Sequence, residues 1–342
     1  MDVKTTFLNG ELEDEVYIKQ PKGFPSSDDE QLKMLIYLKV SGSKVCFLVL
    51  YVDDILLATN DNGLLHEVKQ FLSKNSDMKD MCEASYVIGI KIHRDKFQGI
   101  LGLSQETYIN KVLERFRMKN CSPSVSPMVK GDRFNLNQCP KNNLERKQMK
   151  NIPYASIVGR LINLGMDHWK AVKKVMRYLQ GTKYYKLMYR RTSNLEVVGY
   201  SDSNFAGCVD SHKSTSGYIF ILASGAISWR SIKQTLIATS TMEAEFISCF
   251  EATSHVMDSI SRPLSIYCDN SAAVFMAKNN KSGSRSKHID IKYLAIRECV
   301  KEKKVVIKHI STELMITDPL TKGMPPFKFK DHVVNMGLSF LK

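Results

Sequence analysis

From Leu195 to Ile310 the sequence sets out an order of elements that few folds can satisfy. Three strand-like runs come in succession, VVGYSD, TSGYIFIL and AISWR, and a helix, STMEAEFISCFEAT, follows them. LSIYC then reads as a strand, NSAAVFMAK as a short helix, the segment from His288 to about Lys301 as a longer helix, and VVIKHI as a strand. Strands separated by short turns form an antiparallel meander, whereas strands separated by helices pair in parallel. The pattern predicts a mixed five-stranded sheet with helices packed on it, an α+β or mixed α/β fold. Ser240 with Glu243 has the spacing of a capping box and marks the start of the first helix. No internal repeat is visible.

The first half is organised differently. Turn signals at Asn9-Gly10 and at Pro21 with Gly23 follow the apolar runs MDVKTTFL and VYIKQ, as in strands joined by loops. The runs from Val45 to Val52 and from Ile55 to Ala58 flank Asp53-Asp54, which is how a hairpin with a tight polar turn is written. In QETYINKVLERFRM, Ile109, Val112, Leu113 and Phe116 fall on one helical face. Lys119 to Pro153 is rich in Pro, Asn, Ser and Lys with little periodicity, as in a linker. A basic helix follows, HWKAVKKVMRYLQG, with Trp169, Val172, Met176 and Leu179 inward and Gly181 as its stop. Its Lys170, Lys173, Lys174 and Arg177 face mostly outward, as a solvated face or as a contact for a nucleic-acid backbone.

Composition narrows the classes of function. A length of 342 residues suits two domains, each with its own core. No stretch approaches the ~20 apolar residues of a membrane span. The opening MDVKTTFLNG lacks the basic and apolar regions of a secretory signal, so an intracellular location, cytoplasmic or nuclear, is expected, with no membrane partner. Eight cysteines occur without a CxxC pair, which argues against structural zinc and a disulfide framework. The net charge of +14 favours a polyanionic partner, because neutralising phosphates releases counterions.

Two-metal phosphoryl chemistry needs several carboxylates converging from different elements. Four acids in the second half stand at suitable places: Asp202 in GYSDSNFAG, Glu245 in MEAEF, Asp269 after LSIYC, and Asp318 in ITDPLTKG. Singly, each has an ordinary structural role. Asp202 and Asp269 suit turns after strands, Glu245 an exposed helix position, and Asp318 an N-cap before proline. In sequence order they match a strand end, a first helix, a fourth strand end and a late helix start, the layout of a ribonuclease H. Metal-free, such a cluster is electrostatically strained. Asp53 and Asp54 at the hairpin tip, with Asp2 on the opening strand, form a second candidate set.

These motifs resemble copia-type LTR-retrotransposon Pol polyproteins. MDVKTTFLNGELEDEVYIKQPKGF and LVLYVDDILLAT resemble the palm segments carrying the polymerase aspartates. GYSDSNFAGCVDSHKSTSGYIFILASGAISWRSIKQTLIATSTMEAEF, IYCDNSAA, SKHIDIKYLAIRE and HISTELMITDPLTKG resemble the ribonuclease H region. The resemblance implies a partial reverse-transcriptase palm over 1–118, a connection with the basic helix over 119–194, a ribonuclease H-like domain over 195–325 and a C-terminal tail over 326–342. It implies RNA-directed DNA synthesis and Mg²⁺-dependent cleavage of RNA in RNA–DNA hybrids, with Mn²⁺ as a substitute ion. The polymerase ligands would be Asp2, Asp53 and Asp54, and the nuclease ligands Asp202, Glu245, Asp269 and Asp318. Glu243 competes with Glu245 but already has a capping role. His309 would assist product release or proton transfer, or serve the strand structurally. His288 and Asp290 lie in a family motif that suits helix entry or packing.

Departures from the pattern matter as well. The resemblance leads one to expect a chain without the fingers, and only PSSDDEQLKMLIY stands between Phe24 and Leu38, where the family has a longer segment that grips nucleotide and template. Segments between GRLINLG and DHWKAVKK, and around SHVMDSISRPL, are also shortened, and Asn204 stands where an Asp is frequent. A degenerate copy is expected, with the polymerase defective and the nuclease better preserved. The shortened helix before LSIYC threatens the placement of Asp269. The competing expectation is an inactive nucleic-acid-binding or unstable remnant.

Overall fold

The computed structural model describes residues 2–3, 35–51, 54–75, 78–132, 134–150, 165–256, 263–279 and 291–340. The chain divides into two compact units, Met1–Ile88 and Gly89–Lys342.

In the first unit the strands are Asp2–Val3 (β1), Leu35–Ser41 (β2), Lys44–Tyr51 (β3), Asp54–Thr59 (β4), Met78–Lys79 (β5) and Tyr86–Val87 (β6), with helix Asn62–Asn75 (α1) after β4. β3 and β4 form the expected hairpin, β2 extends it to a meander, and β1 pairs antiparallel with both β4 and β5. Apolar residues at two-residue spacing on β3, Cys46, Leu48 and Leu50, meet Leu64, Val68 and Leu72 of α1. That is one sheet face covered by one helix stripe.

The second unit begins with a hairpin, Ile90–Asp95 (β7) and Ile100–Ser104 (β8), and a helix, Glu106–Arg115 (α2). Helices Asn143–Lys150 (α3) and Met166–Thr182 (α4) and strand Lys186–Arg190 (β9) follow. Ile109, Val112, Leu113 and Phe116 of the α2 segment pack on Trp169, Val172, Met176 and Leu179, as both helical patterns anticipate. β8 pairs antiparallel with β9. These partners explain why the compact unit starts at Gly89 rather than after residue 118: the hairpin and α2 find their packing surface at 166–190. Gly181 is not a stop. α4 continues to Thr182, and a Cβ at Gly181 would stand 3.0 Å from the Ser124 carbonyl oxygen, so the glycine admits a crossing chain.

The remaining strands are Val198–Asn204 (β10), Thr215–Leu222 (β11), Gly225–Lys233 (β12), Leu264–Cys268 (β13) and Val305–His309 (β14). The helices among and after them are Thr241–Val256 (α5), Ser271–Lys278 (α6), Ile291–Lys301 (α7), Asp318–Thr321 (α8) and Pro326–Asn335 (α9). A short strand, Leu338–Ser339 (β15), follows. The sheet order is β12-β11-β10-β13-β14, antiparallel across the meander and parallel for β10, β13 and β14. This is the mixed five-stranded arrangement expected from the sequence. Its core gathers Tyr218, Phe220, Phe246, Ile247, Ile266, Ile296 and Ile307 beneath α5, α6 and α7. All five residues of β13 pair with β14, and its register with β10 is continuous, so two ladders hold the strand and the shortened helix before it leaves its pairing intact.

The C-terminal residues are structured rather than a tail. β15 pairs with β9, and α9 buries Phe329 and Val333 in a cluster with Met324. α8 lies over the row Asp202, Gly217 and Ser231: the Ser231 hydroxyl donates to the Leu320 carbonyl at 2.6 Å, and the Asn204 amide to the Thr321 carbonyl at 3.3 Å. A Cβ at Gly217 would lie 2.5 Å from Thr321 Cγ2, so the absence of a side chain there lets α8 approach the sheet. Gly217→Val is expected to lift α8 and to destabilise the protein by ~1–3 kcal/mol through overpacking. Urea unfolding checks this; an unchanged midpoint contradicts the packing role.

Candidate metal centre

The parallel pairing of β10 and β13 assembles the centre. Tyr200 stands opposite Tyr267, so Asp202 and Asp269, each two residues further on, reach the sheet edge at the same level. Helix α5 supplies the third acid. Glu245 Oε1 accepts the Ser203 backbone N–H at 3.0 Å, and one turn later the Ser248 hydroxyl donates to the Asp202 carbonyl at 2.9 Å. Residues three apart share a helix face, so this pair points one face of α5 at β10. Glu245 is therefore buried, not exposed. Glu243 is used elsewhere: its carboxylate accepts from the backbone N–H and hydroxyl of Thr239, and its own N–H donates to Ser240 Oγ at 3.2 Å. The cap reaches back one residue further than a capping box, and it separates Glu243 from the cluster. Asp318, at the start of α8, brings the fourth carboxylate and is also buried.

Asp269 is the half-buried member, and its charge raises the proton affinity of Asp202, Glu245 and Asp318 alike. Carboxylate oxygens of Glu245 and Asp269 and the Cys268 sulfur all lie within 4.8 Å of one another. Burial, then the neighbouring Asp202, pushes Glu245 up to about 10. Burial likewise raises Asp202 and Asp318, against the pull of Lys322. The expected strain is thus present, and it is strongest where solvent is excluded.

Sequence reasoning missed Lys322. Its ammonium lies 3.0 Å from Asp318 Oδ1 and 3.6 Å from Asp202 Oδ1. Burial pulls its pKa down, but Asp202 and Asp318 outweigh burial and leave it above the ordinary lysine value. The signal was available: in DPLTK the lysine follows Asp318 by four residues, the spacing of one helical turn. Thr321, which donates its hydroxyl to Asp202, and Gln234 were missed as well. Gln234 is buried and donates to Ser216 Oγ at 2.9 Å and to the Ala244 carbonyl at 2.8 Å, tying the start of α5 to the sheet.

The donor set suits a divalent ion with hard-oxygen preference. Glu245 and Asp269 bring carboxylate oxygens within ion-binding reach of each other, and Asp202 and Asp318 stand beside them, joined through the ammonium of Lys322. The Cys268 sulfur is the soft donor of this group, and the hydrogen bond with Cys249 and burial push its thiol up in the metal-free protein. His309 Nε2 lies 3.1 Å from the Asp269 carbonyl oxygen, which only accepts, so that nitrogen carries the proton and the ring braces the backbone of Asp269.

In the first unit, β1 pairs with β4 so that Asp2 stands opposite Asp54, and Asp54 is exposed. Asp53, His288 and Asp290 lie outside the described residues. On α4, Lys174 is held by both carboxylate oxygens of Asp132 at 2.8 and 2.9 Å, Lys170 by Asp167 at 2.9 Å, and Lys173 lies 5.5 Å from the centre of the Trp169 ring. Arg177 is exposed. Lys174 therefore serves the fold first, tying α4 to the preceding loop.

A strand–meander–helix sheet with carboxylates at the ends of its central strands, and a hairpin aligned with an opening-strand aspartate, define a protein of the reverse transcriptase and ribonuclease H class. Sequence profiles agree: "Reverse transcriptase (RNA-dependent DNA polymerase)" matches residues 26–130 and "Reverse transcriptase-like" residues 204–314. The chain is 35% identical to the Pol polyprotein of transposon TNT 1-94 of Nicotiana tabacum over 96% of its length, covering 30% of that relative. It is 30% identical to the Pol polyprotein of transposon RE2 of Arabidopsis thaliana over 99% of its length, covering 27% of that one. It belongs to the copia-type retrotransposon Pol polyprotein family, and it spans less than a third of the length of these relatives. The tobacco alignment runs over 399 positions, more than the chain's 342 residues, so the relative carries internal residues that this chain lacks. Among solved structures, the ribonuclease H domain of Rv2228c from Mycobacterium tuberculosis is similar at a TM-score of 0.31 and 13% identity, over 37% of this chain and 91% of that one. No described helix is long and apolar enough to cross a membrane.

The raised carboxyls fix the sign of a pH effect in metal-free protein. A carboxyl whose folded pKa lies above its unfolded value stabilises the fold below the unfolded pKa, and that stability is lost as pH rises towards the folded pKa. With Glu245 raised from 4.5 to about 10, stability in EDTA should fall between about pH 5 and about pH 9. Glu245→Gln removes the ionisation and should flatten this part of the profile. Melting curves across the range check it; equal slopes for both proteins contradict it.

Proposed function

We propose that the chain's surviving activity is divalent-ion-dependent hydrolysis of the RNA strand of RNA–DNA hybrids, carried by the 195–325 region. The observation that carries this reading is the meeting of Asp202, Glu245, Asp269 and Asp318 from four different elements at one sheet edge. Mg²⁺ is the ion that best fits an all-carboxylate set, with Mn²⁺ as a substitute. Such ions supply an activated water and neutralise charge on the departing oxygen.

The protein's own part is positioning. Ser248 fixes the Asp202 backbone, and Thr321 holds its carboxylate. Ser203 fixes Glu245, and His309 braces Asp269. Glu245, pushed up to about 10, holds a proton at neutral pH that a bound cation would displace, so affinity should rise with pH. The net charge of +14 suits a polyanionic substrate. Exposed Arg177, with Lys170 and Lys173, offers backbone contacts at the cost of weak surface interactions, while Lys174 contributes after release from Asp132.

Polymerisation is not assigned to this chain. Asp2 and Asp54 are aligned across a ladder, but the resemblance implies that the segment between Phe24 and Leu38, which grips template and nucleotide in the family, is shortened here. Phosphoryl transfer depends on a positioned nucleotide.

Incubating the full chain with a labelled RNA–DNA hybrid and Mg²⁺ tests the reading. Cleavage is expected, and Asp202→Asn or Asp269→Asn should lower it by more than the ~10–100-fold typical of residues that only support a metal ligand. A folded chain that binds the hybrid without cutting it would instead be a catalytically inactive remnant.

A further inference from the structure

Lys322 is held between two of the four acids of the centre, Asp202 and Asp318. It follows the last helical residue, Thr321, and α8 is fixed to the sheet by the Ser231–Leu320 and Asn204–Thr321 hydrogen bonds, so the stem starts within reach of the acids. The ammonium bridges Asp318 at 3.0 Å and Asp202 at 3.6 Å. Both acids are buried, at 8% and 2% exposure, while the lysine side chain keeps 37%. Two buried carboxylates beside a third and fourth acid cannot stay charged without a nearby cation. A partly exposed lysine on a flexible stem meets that need and can also leave it, because its stem can extend into water.

On the four-acid reading, a divalent ion draws on carboxylates of Asp202 and Asp318 that the ammonium already contacts. An ammonium between them repels that ion and competes for its ligands, so the two cannot occupy the centre together at full strength. Resting on the metal-centre reading above, we propose that Lys322 is a tethered counter-ion: it occupies the centre in the metal-free protein, keeps its acids assembled, and is displaced when the divalent ion binds. Two consequences follow by linkage. Lys322 stabilises the metal-free fold, and it weakens metal affinity by the strength of its own contacts. The lysine is thereby a positioning residue whose action is exerted on the centre before metal arrives.

The test compares the full chain with Lys322→Met, using Mn²⁺ as the probe, and Asp269→Asn to assign the binding heat to this centre. Calorimetry should show Mn²⁺ binding on the order of tenfold tighter in Lys322→Met, within the range of ordinary coupling between competing ligands. The variant should melt lower than wild type in EDTA and recover more on adding Mn²⁺. A second measurement uses wild-type protein alone. Acetylation of Lys322, followed by mass spectrometry, should run several-fold faster in saturating Mn²⁺ than in EDTA, because displacement frees the amine. Binding that Asp269→Asn abolishes but that Lys322→Met leaves unchanged or weakens, or acetylation not accelerated by the ion, overturns the proposal alone. No binding by either wild type or Lys322→Met overturns the metal-centre reading, and the proposal with it.

Discussion

Mutual repulsion among four carboxylates, set directly against an apolar core, is the constraint around which the second unit is arranged. Asp202 and Asp269 stand at the ends of neighbouring parallel strands, whose carboxyl ends form the edge at which open α/β sheets place ligands. Phe246 and Ile266 behind them are fully buried, so water cannot relieve the charge from that side. The surrounding bonds hold the acids in place: Ser203 on Glu245, Ser248 and Thr321 on Asp202, and Gln234 between α5 and the meander. Each fixes a group that would otherwise swing away from its neighbours. Such supporting contacts usually matter to a metal site nearly as much as its ligands do.

The backbone frame was legible because its signals are local. Alternation, the strand–helix order and the α2 and α4 stripes each depend on a few neighbouring residues, and the sheet order and both helix faces match them. The four acids were also legible, since strand ends and helix starts determine their level at the edge. Lys322 left a local signal only for its contact with Asp318; its reach to Asp202 depends on α8 lying against Gly217, 105 residues away in sequence. The same holds at Gly181. A glycine late in a helical pattern reads as a stop, yet here it admits the chain near Ser124. Residues 326–342 read as a tail because Phe329 and Val333 gain their meaning only from a cluster formed elsewhere.

The two halves of the resemblance carry different chemical content. In the first unit the sheet aligns Asp2 with Asp54, and α1 covers the meander, but alignment of acids alone does not hold a nucleotide. In the second unit the acids, their supports and a competing cation are all present in one place. The raised carboxyls cluster at one sheet edge of the second unit, where burial and like charges act together.

The most direct measurement is anomalous diffraction from crystals of the chain soaked in Mn²⁺. The account expects anomalous density enclosed by the carboxylates of Asp202, Glu245, Asp269 and Asp318. Saturating Mn²⁺ that leaves this edge without density, with the four acids still gathered there, would contradict it.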